Sequence, residues 1–417
     1  MELTAAMPTS APPHFDSALW IGEFDLAAPP ADHYLLRAPQ GYRRARLLVR
    51  QARVPLGFVT VDITDGAVHR DSIEAAAAGL VAAAPHRAPL RPHPPVTVAI
   101  CTRDRPEMLR VALDSVLAID YPDLRVIVVD NAAATEATRA HLAERADPRV
   151  RLVVERRPGL SRARNAAILA AETEIVAFTD DDVLVDRHWI TALVAGFERG
   201  TKVRCVCGIV PSGEISTPAQ AYFDRRVGWA RALAPRVFGL DRRPADQPLF
   251  PFQVGRFGTG ANFAIQRSIV LKLGGFDERL GAGSPTQGGE DLDMFFRVLL
   301  DNGHLAYQPA AIVWHRHRAD NAALLTQAHG YGLGLGAWLT TLALHPRTLG
   351  LALGAGLRGP RRLFGLARAM ARSCDPDDDL KALLPNNIRS TELRAIARGP
   401  FAYRSAAREG RHRRPLG

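Results

Sequence analysis

Between residues 96 and 178, short apolar runs alternate with stretches whose apolar positions recur at helical spacing. Val96-Thr-Val-Ala-Ile100 reads as a buried strand. Asp104 is expected to cap the helix that follows, with Pro106 in its first turn, where a missing N–H costs nothing. Leu109, Leu113, Val116 and Leu117 then keep helical spacing. Arg125–Val129 is the next strand, followed by helix 135–145, strand 150–154, helix 161–171 and strand 174–178. This alternation predicts an α/β fold built on a mostly parallel sheet with helices on both faces. Ligands in such sheets bind beyond the carboxyl ends of the strands.

The flanks read differently. Residues 1–40 are rich in Pro and Ala and are expected to be irregular. Two strands, Ala45–Val49 and Gly57–Val61, are expected around Val54-Pro55-Leu56, and Asp71 is expected to cap an Ala-rich helix over 72–84. Five prolines within 84–95 mark a linker. The organisation that follows is an accessory region 1–83, the linker 84–95, a catalytic domain 96–328, a helical extension 329–388 and a basic tail 389–417.

Within the extension, His345-Pro346-Arg347 divides the apolar stretch Tyr331–Leu357 into two short helices, each too short to span a bilayer. The glycines of Gly330–Gly336 follow no strand and read as close helix packing. Leu357–Arg372 combines an apolar face with arginines, a pattern suited to an anionic membrane surface. The tail carries eight Arg against Glu392 and Glu409, which predicts a solvated, disordered end.

Composition narrows the class. With 47% hydrophobic and 23% charged residues among 417, the chain is globular and larger than one typical domain. A net charge of +10 suits anionic ligands or surfaces. The four cysteines have neither zinc-knuckle spacing nor a disulfide framework, which fits a reducing cytoplasm. The N-terminus lacks the basic start and apolar run of a signal peptide. The expected location is therefore cytoplasmic, with peripheral contact at the inner face of the membrane.

Chemistry concentrates at the strand ends. Strand 96–100 runs into Cys101-Thr102-Arg103-Asp104, strand 125–129 into Asp130-Asn131, and strand 174–178 into Thr179-Asp180-Asp181-Asp182. Three adjacent carboxylates repel one another, and a hard divalent cation such as Mg²⁺ or Mn²⁺ relieves that repulsion. The basic turn Arg156–Asn165 opens a helix, with Ser161 as its candidate cap, and suits an anion. Gly288-Gly289-Glu290-Asp291 opens an amphipathic helix, and Trp314-His315-Arg316-His317 presents two imidazoles.

In this order and spacing, the segments VTVAICTRDRPEMLRVALDSV, LRVIVVDN, GLSRARNAAI, FTDDDV, GANFAIQRSIVLKLGGFDERL, GGEDLDMFFR and VWHRH resemble the family 2 glycosyltransferases, over about Val96 to Arg318. The resemblance implies the A-type glycosyltransferase fold (GT-A), with a Rossmann-like nucleotide-binding half joined to an acceptor-binding half. It also implies inversion at the anomeric carbon. By the same resemblance, Asp130 contacts the donor base and Thr102, Arg103 and Asp104 lie near the nucleoside. Arg164 and Asn165 lie near base and diphosphate. Asp180 and Asp182 are the outer residues of a DxD element around Asp181, with Asp180 and Asp181 in donor binding, Asp180 toward the ribose, and Asp182, Asp180 and His315 on the metal. Asp291 is the catalytic base, with Glu290 beside it. The implied partners are a nucleoside-diphosphate sugar and a glycan or lipid-linked acceptor, with no nucleic acid.

Two departures stand out. Asn131-Ala-Ala-Ala134 follows the second-strand acid where the family commonly has small polar residues, and the QxxRW element of processive synthases is absent, which favours single addition. Two other readings compete. A sugar-phosphate nucleotidyltransferase needs a Gly-rich loop after the first strand, where this chain has CTRDRPE. A non-catalytic carbohydrate-binding protein has no need of Asp180, Asp182 and Asp291. Tyr222, Phe223, Trp229 and Phe252 lie in the segment 211–257, where acceptor contacts are expected, and core packing is their default role.

Overall fold

In the computed structural model the described residues are 1–8, 12–13, 15–80, 93–230, 232–247, 249–256, 258–348, 350–351, 380 and 382–409. Most of the linker, the basic stretch Leu357–Arg372 and the last eight residues lie outside them.

The N-terminal unit contains β1 (Glu2–Leu3), β2 (Leu19–Asp25), β3 (His33–Leu36), β4 (Arg44–Gln51), β5 (Val54–Asp62), β6 (Ala67–His69) and α1 (Arg70–Ala77). These strands form two three-stranded sheets, β2-β4-β5 and β1-β3-β6. Alternate residues such as Trp20, Phe24, Leu47 and Val49 point into a shared core with Tyr34 and Ile73. The β4–β5 hairpin turns at Ala52, whose φ is +54°, and Pro55 lies inside β5 rather than in the turn. The ladder tolerates this proline because register slips between Val49 and Arg50 just opposite it. α1 starts at Arg70 with His69 as its N-cap, so Asp71 sits in the first turn rather than capping.

The second unit contains β7 (Val96–Thr102), α2 (Pro106–Leu117), β8 (Leu124–Asn131), α3 (Ala137–Arg145), β9 (Val150–Glu155), α4 (Leu160–Ala170), β10 (Ile175–Thr179) and β11 (Val183–Val185). It continues through α5 (Trp189–Phe197), β12 (Val203–Ile209), α6 (Pro218–Val227), β13 (Arg236–Phe238), β14 (Asn262–Gln266), α7 (Arg267–Lys272), α8 (Glu290–Leu300) and β15 (His304–His315). Its sheet has the order β11-β15-β12-β14-β10-β7-β8-β9, with β13 also on β15. β10, β7, β8 and β9 are mutually parallel, as the alternation predicts. β14 then enters antiparallel between β10 and β12 and joins this Rossmann-like half to a mixed half. This is the GT-A layout implied by the resemblance. One core cluster lies on each face of the sheet, one around Phe178, Phe263 and Phe295 and the other around Val98, Leu113 and Trp189.

Two expected caps are not formed. Asp104 takes φ +54° and leaves Arg105 as the N-cap of α2. α4 begins at Leu160 after Gly159, whose φ of +137° makes the sharp entry, and the Ser161 hydroxyl instead donates to the Leu280 carbonyl at 2.8 Å.

The C-terminal region also departs from expectation. α9 runs unbroken from Asn321 to Ala343, starting well before Tyr331. The expected disordered tail forms α10 (Ile388–Glu409), whose Ala395, Gly399, Tyr403 and Ala406 are buried. Small residues explain the docking. A Cβ on Gly336 would lie 2.1 Å from the Ile396 carbonyl oxygen, and one on Gly399 would lie 2.2 Å from Gly336. The glycines of α9 thus let two backbones touch, as their spacing predicts. No helix among the described residues is long and apolar enough to cross a membrane.

Candidate active site

Register brings the acidic residues to one edge. β7 pairs Ile100 with Thr179 of β10 and Thr102 with Asp130 of β8, so Thr102, Asp130 and Asp180 emerge at the same carboxyl edge. β11 turns back beside the end of β15, pairing Val183 with His315, and the Arg316 amide donates to the Asp182 carbonyl at 3.1 Å. The His315 ring consequently meets the DxD element. Ligand atoms of Asp180, Asp182 and His315 all lie within 4.8 Å of one another, and His315 Nε2 is 3.2 Å from Asp182 Oδ1.

The three aspartates have different surroundings. Burial, and then the neighbouring Asp182, push the Asp180 carboxyl up to about 6. Burial works the same way on Asp182, but His315, Arg318 and Arg105 outweigh it and hold this carboxyl well below the usual range. Asp181 faces inward, accepting from Thr102 Oγ1 at 2.7 Å and from Arg105 at 3.3 Å. It ties the first strand to the DxD turn. A crowded set of two carboxylates and one imidazole fits a hard or borderline divalent cation such as Mg²⁺ or Mn²⁺. His317 stacks on His315 at 4.9 Å and meets the Phe223 ring at a tilt, 4.5 Å away, outside the cluster, and burial pushes its imidazole far below its ordinary pKa.

A second acidic pair stands at the start of α8, where Gly289 at φ +90° turns the chain. Glu290 is buried and accepts from Arg164 Nη1 at 2.9 Å, while Arg164 also donates to the Gly260 carbonyl at 3.0 Å. Phe178, Phe263 and Phe276 surround this guanidinium at 5.6–5.8 Å. Asp291 is half-buried and accepts from the Gly260 amide at 2.8 Å. The two acids therefore have separate roles, Glu290 facing the core cation and Asp291 held by backbone. Tyr331 of α9, 42% exposed, stands on this side near Asp291.

At the end of β8, Asp130 is 6% exposed, and among the described residues its buried Oδ1 has no partner. Burial, followed by Asp104, raises its pKa. Asp104 accepts from the Ala134 amide at 2.9 Å, and Arg103 is exposed beside it at 3.8 Å. Asn131 donates to the carbonyls of Glu155 and Arg157 and accepts from the Gly159 amide, which holds the basic turn against β8. Asn165 donates to the Phe276 carbonyl at 3.0 Å and accepts from the Phe276 amide at 2.7 Å, so its amide group bonds backbone rather than facing the cleft. Tyr222 and Phe223 are buried, in line with core packing.

Arg105, Arg318 and Tyr331 are site neighbours that sequence reasoning did not single out. The two arginines were detectable as cations next to the CTRD and WHRH segments; Tyr331 was not, because only the fold brings α9 to the site.

Residues 97–274 match the family described as Glycosyl transferase family 2. The chain is 29% identical over 241 residues to a pre-mycofactocin glycosyltransferase of Mycobacterium tuberculosis, covering 58% of this chain and 46% of that protein. It thus spans about half the length of that relative. It is 27% identical over 284 residues to the succinoglycan biosynthesis protein ExoM of Rhizobium meliloti, covering 67% of this chain and 81% of ExoM. Among solved structures, a mannosyltransferase from Pyrobaculum calidifontis in complex with GDP-Man and Mn²⁺ aligns at 20% identity and a TM-score of 0.46, covering 74% of this chain and 87% of that one.

Proposed function

Because residues 97–274 belong to the family 2 glycosyltransferases, we propose that this chain moves a sugar from a nucleoside-diphosphate donor to an acceptor hydroxyl, with inversion at the anomeric carbon. The observation that carries the reading is the pairing of two dissimilar acidic sites, a clustered Asp180–Asp182–His315 set and the separately anchored Asp291.

Asp180, Asp182 and His315 are the residues that would hold Mg²⁺ or Mn²⁺, which when bound neutralises charge on a diphosphate leaving group. Arg105 and Arg318 add fixed positive charge beside Asp182. Asp130 and Asp104 bound the place of the donor base. Asp291 takes the proton of the attacking hydroxyl, and one base suffices because a single displacement inverts the centre. The Gly260 amide holds the Asp291 carboxylate in place, and Arg164 supplies the counter-charge for Glu290.

A glycan or lipid-linked acceptor and peripheral membrane contact belong to the same proposal. The name of one relative, the succinoglycan biosynthesis protein ExoM, supports a glycan-building setting. The test is release of nucleoside diphosphate from a panel of UDP- and GDP-sugars with Mn²⁺ or Mg²⁺. Asp291→Asn should retain donor binding and lose ~10²–10⁴-fold in transfer rate, the range for removal of a general base. An unchanged rate in that variant moves the role away from Asp291. A protein that binds donors and releases no diphosphate under any condition is a binding module instead.

A further inference from the structure

On the opposite edge of the fold, β13 pairs with the beginning of β15, matching Arg236 to Tyr307. His315 lies at the other end of the same strand, roughly 25 Å away at about 3.3 Å per residue. Here a cavity of about 610 Å³ opens between the end of α5 and the chain after β13, lined by Arg199, Arg236, Arg242 and Arg243 with Phe238 and Pro244.

These arginines differ in how they are balanced. Asp246 accepts from both terminal nitrogens of Arg236 at 2.6 and 2.8 Å and neutralises it. Arg199, Arg242 and Arg243 form no ion pair among the described residues. Arg199 donates to Gln308 Oε1 at 3.2 Å, and its Nε is buried without a partner. Burial pushes its pKa down. Among the described residues Arg243 donates only to the Leu240 carbonyl, at 3.3 Å. The carbonyl end of α5 contributes the equivalent of about half a negative charge, which leaves most of the positive charge uncompensated.

We propose that this cavity is a second ligand site, one that takes a phosphate- or diphosphate-bearing anion without a divalent cation. Guanidinium groups match phosphate oxygens in fork geometry, and three of them around one opening favour a multiply charged group over a single carboxylate. The site differs in sign from the Asp180–Asp182–His315 cluster, which attracts cations. It stands independently of the transfer reaction, so its failure leaves that reading untouched.

The test uses the full chain in EDTA at physiological salt, with inorganic pyrophosphate titrated by calorimetry. Wild type and Asp182→Ala should bind equally. The double variant Arg242→Gln/Arg243→Gln should bind at least tenfold more weakly, with an unaltered unfolding midpoint. Arg199→Gln, in the same lining, should weaken binding in the same way. A parallel arm pellets the protein with phosphatidylcholine vesicles containing phosphatidic acid. Pelleting lost in the arginine variants identifies a lipid phosphate as the source; pyrophosphate binding without pelleting identifies a soluble one. No wild-type binding in either arm overturns the proposal. So does binding that survives in the arginine variants, or pyrophosphate binding that Asp182→Ala abolishes.

Discussion

Arg50, on β4 of the N-terminal unit, pairs with Asp186 at 2.9 Å, and Asp186 follows directly on β11, the strand that leaves the DxD element. The same guanidinium holds Glu23 at 2.9 Å, and Glu23 accepts from the indole of Trp314, the neighbour of His315. One buried arginine therefore ties down both segments that supply the candidate metal ligands.

Removing Arg50 leaves Glu23 and Asp186 without their shared counter-charge. Arg50→Met should lower unfolding stability by about 3–5 kcal/mol, the usual cost of stranding one side of a buried pair. The Mn²⁺ concentration for half-maximal activity should also rise, by about tenfold for each ~1.4 kcal/mol of lost preorganisation. Metal titration of activity reads this directly. A stability loss with an unchanged metal requirement assigns Arg50 to holding the fold alone.

Asp182→Ala removes the carboxylate closest to His315. The variant should fold, because the inward tie from Thr102 runs to Asp181. It should lose high-affinity Mn²⁺ binding, measured by electron paramagnetic resonance, along with at least about 10²-fold of turnover. Wild-type activity that persists in excess EDTA contradicts the metal assignment.

Glu290 gives a pH signature. Burial, then Asp291, push its carboxyl up to about 7 against an ordinary value of 4.5. A raised carboxyl pKa means that the folded state holds the proton more tightly than the unfolded state does. Its contribution to stability is fully present below about 4.5 and is lost as pH rises through about 7. Glu290→Gln cannot ionise. In metal-free buffer its stability relative to wild type should therefore improve between pH 5 and pH 8, as measured by urea unfolding. A difference that stays constant across this range rules out the shift.

Gly336→Ala tests the packing of α9 on α10. The added methyl would lie 2.1 Å from the Ile396 carbonyl, so the helices must separate, at a cost of about 1–3 kcal/mol. The Gly334 carbonyl of α9 also sits against Gly289, the residue that starts α8, so turnover should fall as well. Gly79→Ala, with nothing within 4 Å of its new methyl, is the control and should stay within about 0.5 kcal/mol of wild type.

The sheet and its acidic edge were legible because apolar runs and polar strand ends are local signals. Val96–Ile100 and Asp180–Asp182 can be read without any knowledge of neighbours. The links that hold the site were not legible. Trp314 and Glu23 are far apart in sequence, and nothing near either residue indicates the other. α10 was misread because its arginines dominated the composition. Its buried stripe, Ala395, Gly399, Tyr403 and Ala406, does keep helical spacing, but a stripe that small emerges only against the glycines of α9. Asp104 and Ser161 looked like caps by residue type, yet both are drawn into tertiary hydrogen bonds instead.

The pairing of β11 with the last residues of β15 also bears on synthesis. A nascent chain presents Asp180 and Asp182 long before His315 and Arg318 leave the ribosome. Until then the two carboxylates repel each other with Arg105 but neither His315 nor Arg318 beside them. β10 therefore waits on β14 to complete its edge, and the DxD turn waits on β15, which pairs with β11, for its imidazole. A stalled or nicked product that ends before β15 lacks His315 and Arg318, so the candidate cation cluster stays incomplete in it.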